Sequence, residues 1–344
     1  MDKYKIIQKI AEGGMAEVFL ARSTAAMGLG KFVAIKKILP DLSESPDFIH
    51  MFKAEAKVAM QLQHRNLVSI YDFGTAEGQC FLVMELVHGL NLSQILRELQ
   101  KKQFHIPTAM ALYMIAEAAS GLHSAHEVTI HRDISPANIM ISYAGEIKVI
   151  DFGVAKVKGF GDETQVGVLK GKINYMSPEQ VNSEKLDHRS DIFSLGLVLY
   201  EVLTGCRGYK NRFQEIRPLQ DLNPLIHGDL IAIVEKALCH KPDQRFQSMD
   251  DFSRELRGFL NKNYPEFTAT ELSEYMKKEF FQNYQNLQNR LCGFEAEQAA
   301  DLQKEEVTEI TKSPTLSSDI IEQFENKFHF KVRKKFRIQN KDGL

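Results

Sequence analysis

Cysteine is scarce and scattered in this chain. Cys80, Cys206, Cys239 and Cys292 are the only four, and no two of them form a C-x-x-C pair. That excludes a cysteine-based zinc site and a dense disulfide framework, and it predicts reduced thiols in a cytoplasm. Neither sign of charge is in excess: 43 Lys and Arg stand against 45 Asp and Glu, a formal net charge of -2. Nothing global then favours nucleic acid or an anionic membrane as the main partner, and such contacts must be local. A long hydrophobic run is missing too. The longest apolar stretch, Ile192 to Leu203, is broken by Ser194, Gly196 and Glu201 and falls short of the ~20 residues that a membrane helix needs. The opening M-D-K-Y-K-I-I-Q-K-I lacks the apolar core of a signal peptide, so no transmembrane anchor is expected and a cytoplasmic location is. Internal repeats and low-complexity tracts are absent. What is present, 344 residues at 44% hydrophobic content, is enough for two or three compact units with a large core.

The chemistry concentrates in His131 to Asn138, H-R-D-I-S-P-A-N. Asp133 is a carboxylate able to orient a hydroxyl and accept its proton, and Asn138, five residues on, is an amide able to hold a metal ion. A second acid, Asp151, follows in V-I-D-F-G. Taken alone, a His-Arg-Asp triplet reads equally well as an exposed turn.

The flanking sequence supplies context. Residues 4 to 38 alternate apolar and polar positions in short runs parted by glycine-containing turns, the pattern of an antiparallel meander. Its first turn, A-E-G-G-M-A-E-V, carries Gly13 and Gly14, where small residues let backbone N–H groups approach phosphate oxygens; a plain hairpin is the alternative. V-A-I-K ends on Lys36, an amine that on an inner face demands an anionic partner. Phe48, Met51, Phe52, Val58 and Leu62 recur at helical spacing over 47 to 63, with Glu55 beside that stripe as a boundary charge or as the counter-ion of Lys36. Strands follow near 67 to 73 and 80 to 86, then a change of pattern that marks a hinge. A helix over 107 to 127, opening at Pro107, leads to His131. A hairpin around Ala144 and Gly145 sets Asn138 and Asp151 at its two ends, within reach of a shared magnesium ion. Residues 154 to 176 lack periodicity and predict a long functional loop. The class is α+β, a small β-rich lobe beside a larger helical one.

Together these segments resemble the eukaryotic-like (Hanks-type) serine/threonine protein kinases, and their bacterial branch in particular. The glycine-rich turn, V-A-I-K, the helix glutamate, H-R-D-x-x-x-x-N, D-F-G and S-P-E (177 to 179) occur in family order. R-S-D-I-F-S-L-G (189 to 196) and K-P-D-Q-R-F (241 to 246) extend the likeness, which covers about residues 4 to 260. The resemblance implies the two-lobed protein kinase fold: a small antiparallel-sheet lobe with one main helix over 1–86, a larger mostly helical lobe over 87–262, a helical extension over 263–304, and a linker with a basic-aromatic tail over 305–344. It also implies ATP- and Mg2+-dependent transfer of the γ-phosphoryl group to Ser and Thr hydroxyls of protein substrates, autophosphorylation included, in intracellular signalling. Lys36 would hold the α- and β-phosphates and pair with Glu55, Asp133 would be the catalytic base, and Asn138 and Asp151 would bind magnesium. Ile10, Val18, Ala34, Met84, Met140 and Ile150 would line an adenine slot under Gly13 and Gly14, with Met84 as gatekeeper and Glu85 and Val87 giving hinge backbone groups. Glu179 would pair with Arg245, and Asp191 would brace the catalytic loop.

The sequence departs from the family pattern in places. Ala11 and Ala16 replace the outer glycines of the turn. Ser135 stands where the family has a lysine on the γ-phosphate, and Lys172 where it has a threonine, which suggests that the ammonium has moved from one loop to the other and acts beside Asp133. Arg132 suggests control by loop phosphorylation, with Thr164, the only Ser or Thr between Gly153 and Ser177, as the acceptor. Beyond the kinase-like part, Leu272, Tyr275, Met276, Phe280 and Tyr284 recur at helical spacing, with Thr268 or Thr270 as the cap; the extension docks on the large lobe or joins two copies into a homodimer. The tail over 327 to 337 interleaves six basic residues with three phenylalanines, and reads as a solvated end, a contact to an anionic surface or a segment that occupies the chain's own active site. Two other functions stand beside the kinase reading: a pseudokinase or docking module that transfers no phosphate, and a small-molecule phosphotransferase on a kinase-like fold, which would not need the S-P-E and R-S-D-I-F-S-L-G segments.

Overall fold

The alternating pattern over 4–38 becomes three adjacent strands in a computed structural model that describes residues 3–24, 30–152, 173–209 and 216–294, without the side chains of Asp47 and Glu55. Strands β1 (Tyr4–Glu12), β2 (Ala16–Ser23), β3 (Phe32–Ile38), β4 (Ile70–Ala76) and β5 (Gln79–Glu85) form one antiparallel sheet in the order β1-β2-β3-β5-β4. The two-residue period divides β3 between two faces. Val33 and Ile35 are buried with Ala21, Phe81 and Val83. Ala34 and Lys36 point the other way, opposite Met84 and Leu82.

Helix α1 (Pro46–Ala59) covers this second face. Pro46 pre-sets its first turn, and Ser45 caps it, its Oγ accepting from the Phe48 N–H at 3.4 Å. Its Phe48, Phe52 and Ala56 bury against Ile38 and Leu82. The strand expected near 67 starts only at Ile70, because the residues before it bond elsewhere. The Val68 N–H donates to the Val149 carbonyl at 3.0 Å, and the Val149 N–H to the Asn66 carbonyl at 2.8 Å. Asn66 Nδ2 also donates to the Ile147 carbonyl at 3.0 Å. These three bonds stitch the small lobe to the large one.

The large lobe begins at a three-stranded sheet, β6 (Gly89–Asn91), β7 (Ile139–Ser142) and β8 (Ile147–Val149), in that order. Asn91 caps α2 (Leu92–Lys102) through a reciprocal pair with Gln94. Helix α3 (Thr108–His126) starts one residue after Pro107, which takes the cap position. The apolar stretch at 192–203 lies in α4 (Arg189–Thr204), where every residue from Ser190 to Thr204 is buried. A helix enclosed on all sides needs no polar face, which explains why apolar residues occur all round it and the few polar ones, Ser194 and Glu201 among them, are buried too. Gly196 lets α4 approach α5 (Gly228–Ala237), since a Cβ there would lie 3.0 Å from that of Ala237. Helix α6 (Met249–Asn263) packs along α3, and Ser253 Oγ donates to the Ala116 carbonyl at 2.9 Å.

The described residues as far as Tyr284 form one compact unit, so the first helix of the extension belongs with the lobes. This is α7 (Ala269–Glu279), capped by Thr268, whose N–H donates to Glu271 Oε1 at 3.0 Å. It closes on the β7–β8 hairpin: Ser273 Oγ donates to the Tyr143 carbonyl at 2.8 Å, and the rings of Tyr143 and Tyr284 meet edge-on at 5.0 Å. The helix expected to run on through 280 is interrupted at Phe280 (φ -115°, ψ 34°). Residues 285–294, the described part of a second unit, are helical. Among the described residues no helix is long and apolar enough to cross a membrane.

Candidate active site

His131 is fully buried and fixes the segment that follows it. Burial pushes its imidazole below the usual range and so keeps it neutral. Nδ1 accepts from the Asp133 N–H at 3.3 Å, which leaves the proton on Nε2 to donate to the Ile150 carbonyl at 3.0 Å. Asp191, on the first turn of α4, lies beneath. Its carboxylate accepts the N–H groups of His131 and Arg132, each at 2.8 Å, and contacts His126 Nε2 at 2.9 Å. Arg132 between them has φ 64°, a conformation that side chains with a Cβ adopt at a cost of order 1–3 kcal/mol. The segment is over-determined, which is what sustains such a residue.

Asp133 then faces Asn138. Asn138 Nδ2 donates to the Asp133 carbonyl at 2.7 Å and to Asp133 Oδ2 at 3.1 Å, and the Ile150 N–H donates to the Asn138 carbonyl at 3.0 Å. The last bond ties together the two ends of the β7–β8 hairpin, so Asp151 follows directly beside Asn138. Asp151 also has positive φ, 55°. Its Oδ1 accepts from Lys36 Nζ at 2.7 Å, an ion pair that joins the small lobe to the large one. Carboxylate and amide oxygens are the hard donors that magnesium takes together with phosphate oxygens and water. The residues present therefore fit the metal that the sequence implied. Among the described residues no cluster of three or more His, Cys, Asp or Glu forms a self-sufficient metal site.

Next to this polar group lies an apolar cluster in which Ala34, Val68 and Met84 are buried, with Val18, Val87 and Ile150 packed on it. Four of the residues expected to line an adenine slot, Val18, Ala34, Met84 and Ile150, thus come together from both lobes with the hinge residue Val87. Ile10 stands on β1 at 42% exposure, and Met140 faces Lys148 and Asn91 in the hairpin sheet. The Gly13 N–H donates to the Ala16 carbonyl at 2.9 Å, closing the turn of the β1–β2 hairpin. A cavity lined by Phe52, Leu62, Val68, Met84 and Phe152 reaches Lys36 and Asp151.

The expected pair of Glu179 and Arg245 is present as a buried two-point contact at 2.7 and 2.8 Å. Burial is the largest single influence on the Glu179 carboxyl and would raise it. The hydrogen bonds from Arg245 and Ser190 together outweigh burial and bring it down to about 2. The side chain of Glu55 and the residues Lys172 and Thr164 lie outside the described residues.

Sequence reasoning missed three connections. Lys148 Nζ bonds Glu85 Oε1 at 2.8 Å beside the hinge. Glu117, buried in α3, takes Arg257 at 2.6 Å and Asn66 Nδ2 at 3.1 Å. Gln180 Nε2 donates to the Arg132 carbonyl at 2.8 Å. Only the last left a trace in the sequence, the capping signature S-x-x-Q at Ser177.

With this geometry in view, the likenesses to known proteins are specific. Residues 4–269 match the protein kinase domain family. The chain is 39% identical over 296 residues to the tyrosine-protein kinase MasK of Myxococcus xanthus, covering 80% of this chain and 46% of that protein. It is 36% identical over 282 residues to the serine/threonine-protein kinase PknB of Mycobacterium tuberculosis, covering 77% of this chain and 44% of that protein. The chain thus spans less than half the length of these relatives. The crystal structure of the Mycobacterium tuberculosis PknI kinase domain superposes with a TM-score of 0.61 at 24% identity over 74% of this chain and 96% of that one, a likeness of fold. On the match over 4–269 and the ordered site that it contains, the chain belongs to the protein kinase domain family, in its bacterial Hanks-type branch.

Proposed function

We propose that the chain transfers the γ-phosphoryl group of ATP to serine and threonine hydroxyls of proteins, itself among them. The observation that carries this reading is the convergence of Lys36, Asp151, Asn138 and Asp133 at the junction of the lobes, next to the apolar cluster of Ala34, Val68 and Met84. Phosphoryl transfer asks a protein mainly for positioning and neutralisation of charge, and these residues offer both. Asp133, held by Asn138, orients the acceptor hydroxyl and takes its proton. Lys36 holds the α- and β-phosphates, and Glu55 is its expected second partner. Asn138 and Asp151 hold Mg2+, which when bound neutralises charge on the phosphate oxygens. The adenine lies among Ile10, Val18, Ala34, Met84, Met140 and Ile150 beneath Gly13 and Gly14. Glu85 and Val87 offer it backbone groups, and the Val87 carbonyl also accepts from the Gly89 N–H at 3.0 Å. Incubation with radiolabelled ATP and magnesium, comparing wild type with Asp133→Asn, tests the reading. Label in the wild type alone is expected, and equal label in both sinks it.

One observation favours a second acceptor, tyrosine. Ser135 replaces the lysine of serine/threonine kinases, it is 3% exposed, and its Oγ has no hydrogen-bond partner among the described residues. The relative MasK is named a tyrosine-protein kinase. Phosphoamino-acid analysis of the labelled protein separates the two readings.

Regulation and assembly complete the proposal. Lys172 supplies the ammonium that Ser135 lacks, so Lys172→Ala should lose activity. Thr164 is the autophosphorylation site, to be sought by mass spectrometry of the active protein. The division runs 1–86, 87–262, 263–304 and 305–344, with the extension docked on the large lobe or serving as the surface of a homodimer. The tail at 327–337 contacts an anionic surface or the active site; removing it either frees activity or abolishes vesicle binding. The four cysteines carry no disulfide, which supports a reducing, cytoplasmic location.

A further inference from the structure

The peptide plane that joins Arg132 to Asp133 is gripped at both of its polar atoms. Its N–H, on Asp133, donates to His131 Nδ1 at 3.3 Å, and its carbonyl, on Arg132, accepts from Gln180 Nε2 at 2.8 Å. A trans peptide is planar, so two fixed atoms set the orientation of the whole unit and with it the Cα of Asp133. The far side of Arg132 is fixed as well, by its N–H to Asp191 Oδ1 at 2.8 Å. Arg132 is at φ 64°, a region from which a residue relaxes when its restraints are released.

Gln180 is itself held. It stands in the helical turn Pro178–Val181, where its Oε1 accepts the Ser177 N–H at 3.0 Å and its backbone N–H donates to Ser177 Oγ at 3.4 Å. Its neighbour Glu179 anchors that turn through Arg245 at 2.7 Å and Ser190 at 2.6 Å. The amide of Gln180 is thereby used at both ends, the oxygen for the cap and the nitrogen for the Arg132 carbonyl. Glutamate serves equally well in a capping box. It has no N–H to give to Arg132, and it would set a carboxylate against a carbonyl oxygen. The capping role alone does not require an amide at position 180, whereas the bond to Arg132 does.

We propose that Gln180 is a positioning residue for phosphoryl transfer, which transmits the placement of the Glu179–Arg245 anchor to the peptide ahead of Asp133. This rests on the kinase reading given above. Gln180 touches no substrate; it sets where the base stands. Gln180→Glu, made in the full chain, keeps the cap and removes the clamp. At saturating ATP, kcat for the best serine peptide of an acceptor screen is expected to fall about tenfold, the effect of one lost hydrogen bond at a reacting geometry. KM for ATP should stay within about twofold, because the nucleotide is held by other residues. Hydrogen exchange of amides in 129–136 should quicken, while that of α4 and the melting temperature hold. Equal kcat in both proteins, or a matched loss of kcat and melting temperature, overturns the proposal. A wild type that transfers no phosphate overturns the kinase reading instead, and exchange over 129–136 then decides the clamp: unchanged rates refute it, faster rates in Gln180→Glu support it.

Discussion

Asp133, Lys36 and Asp151 carry charges whose value lies in where they sit. Lys36→Ala or Asp133→Asn is expected to lower transfer by about 10²–10⁴ while the melting temperature stays near that of the wild type; a matching loss of stability would assign these residues to the core. Arg245 is the opposite case. It is 2% exposed and engages both Glu179 oxygens, so Arg245→Ala leaves a buried carboxylate without its counter-charge and with the Ser190 hydroxyl as a neutral donor. A loss of about 3–5 kcal/mol is expected, measured by urea unfolding. The meeting of Lys36, Asp133, Asn138 and Asp151 was legible in the sequence because they lie in short segments at fixed offsets. Gln180 was not. Its cap lies three residues away at Ser177, but its second partner is 48 residues away, and no local pattern encodes such a distance. For Lys36 the sequence demanded an anion and offered Glu55, whose side chain lies outside the described residues, and the structure sets Asp151 at 2.7 Å from the amine.

Among the elements, α7 has the most to test, because it holds a hairpin whose two ends carry Asn138 and Asp151. Ser273→Ala removes a buried bond to the Tyr143 carbonyl and should cost about 1 kcal/mol. Gly145→Val meets two obstacles, φ 83° and a Cβ position 2.6 Å from the Ala269 carbonyl, and should cost about 2–3 kcal/mol. If α7 supports the hairpin, amides of β7 and β8 exchange faster in both variants; if exchange rises only within α7, the hairpin stands without it. Elements with one wet face were read from the sequence with little error. Helix α1 and the β7–β8 hairpin show why, since solvent on one side imposes a period on the residues. Helix α4 has no wet side and left only an apolar run. Strand β4 started late because Asn66 and Val68 spend their backbone groups on the other lobe, a long-range contact without local signature.

For the molecule as a whole, acid is expected to act in two stages. Burial is the first cause holding His64, His88 and His131 below the usual imidazole value. A base whose folded value is depressed contributes its full stability above its unfolded value, ~6.5, and loses it as pH falls through the folded value. The urea midpoint should therefore drop between about pH 7 and pH 5, and a flat midpoint across that range would mean that the imidazoles take up protons in the fold as readily as in the unfolded chain. Glu179 acts lower, its contribution present above 4.5 and lost as pH falls towards about 2. The arrangement of two lobes followed from the resemblance of ordered motifs rather than from periodicity, which says what each element buries and nothing of which elements meet. The chain passes between the lobes at Glu85 to Gly89, and the backbone bonds of Asn66 and Val68 to Val149 tie them at a second place. Two points fix a line. A body held to another at two points keeps one easy freedom, rotation about that line, and gives up sliding and twisting. Lys36 and Asp151 are therefore free to separate only along a single arc, and a substitution that loosens the Asn66–Val149 stitch should widen that freedom before it weakens either lobe.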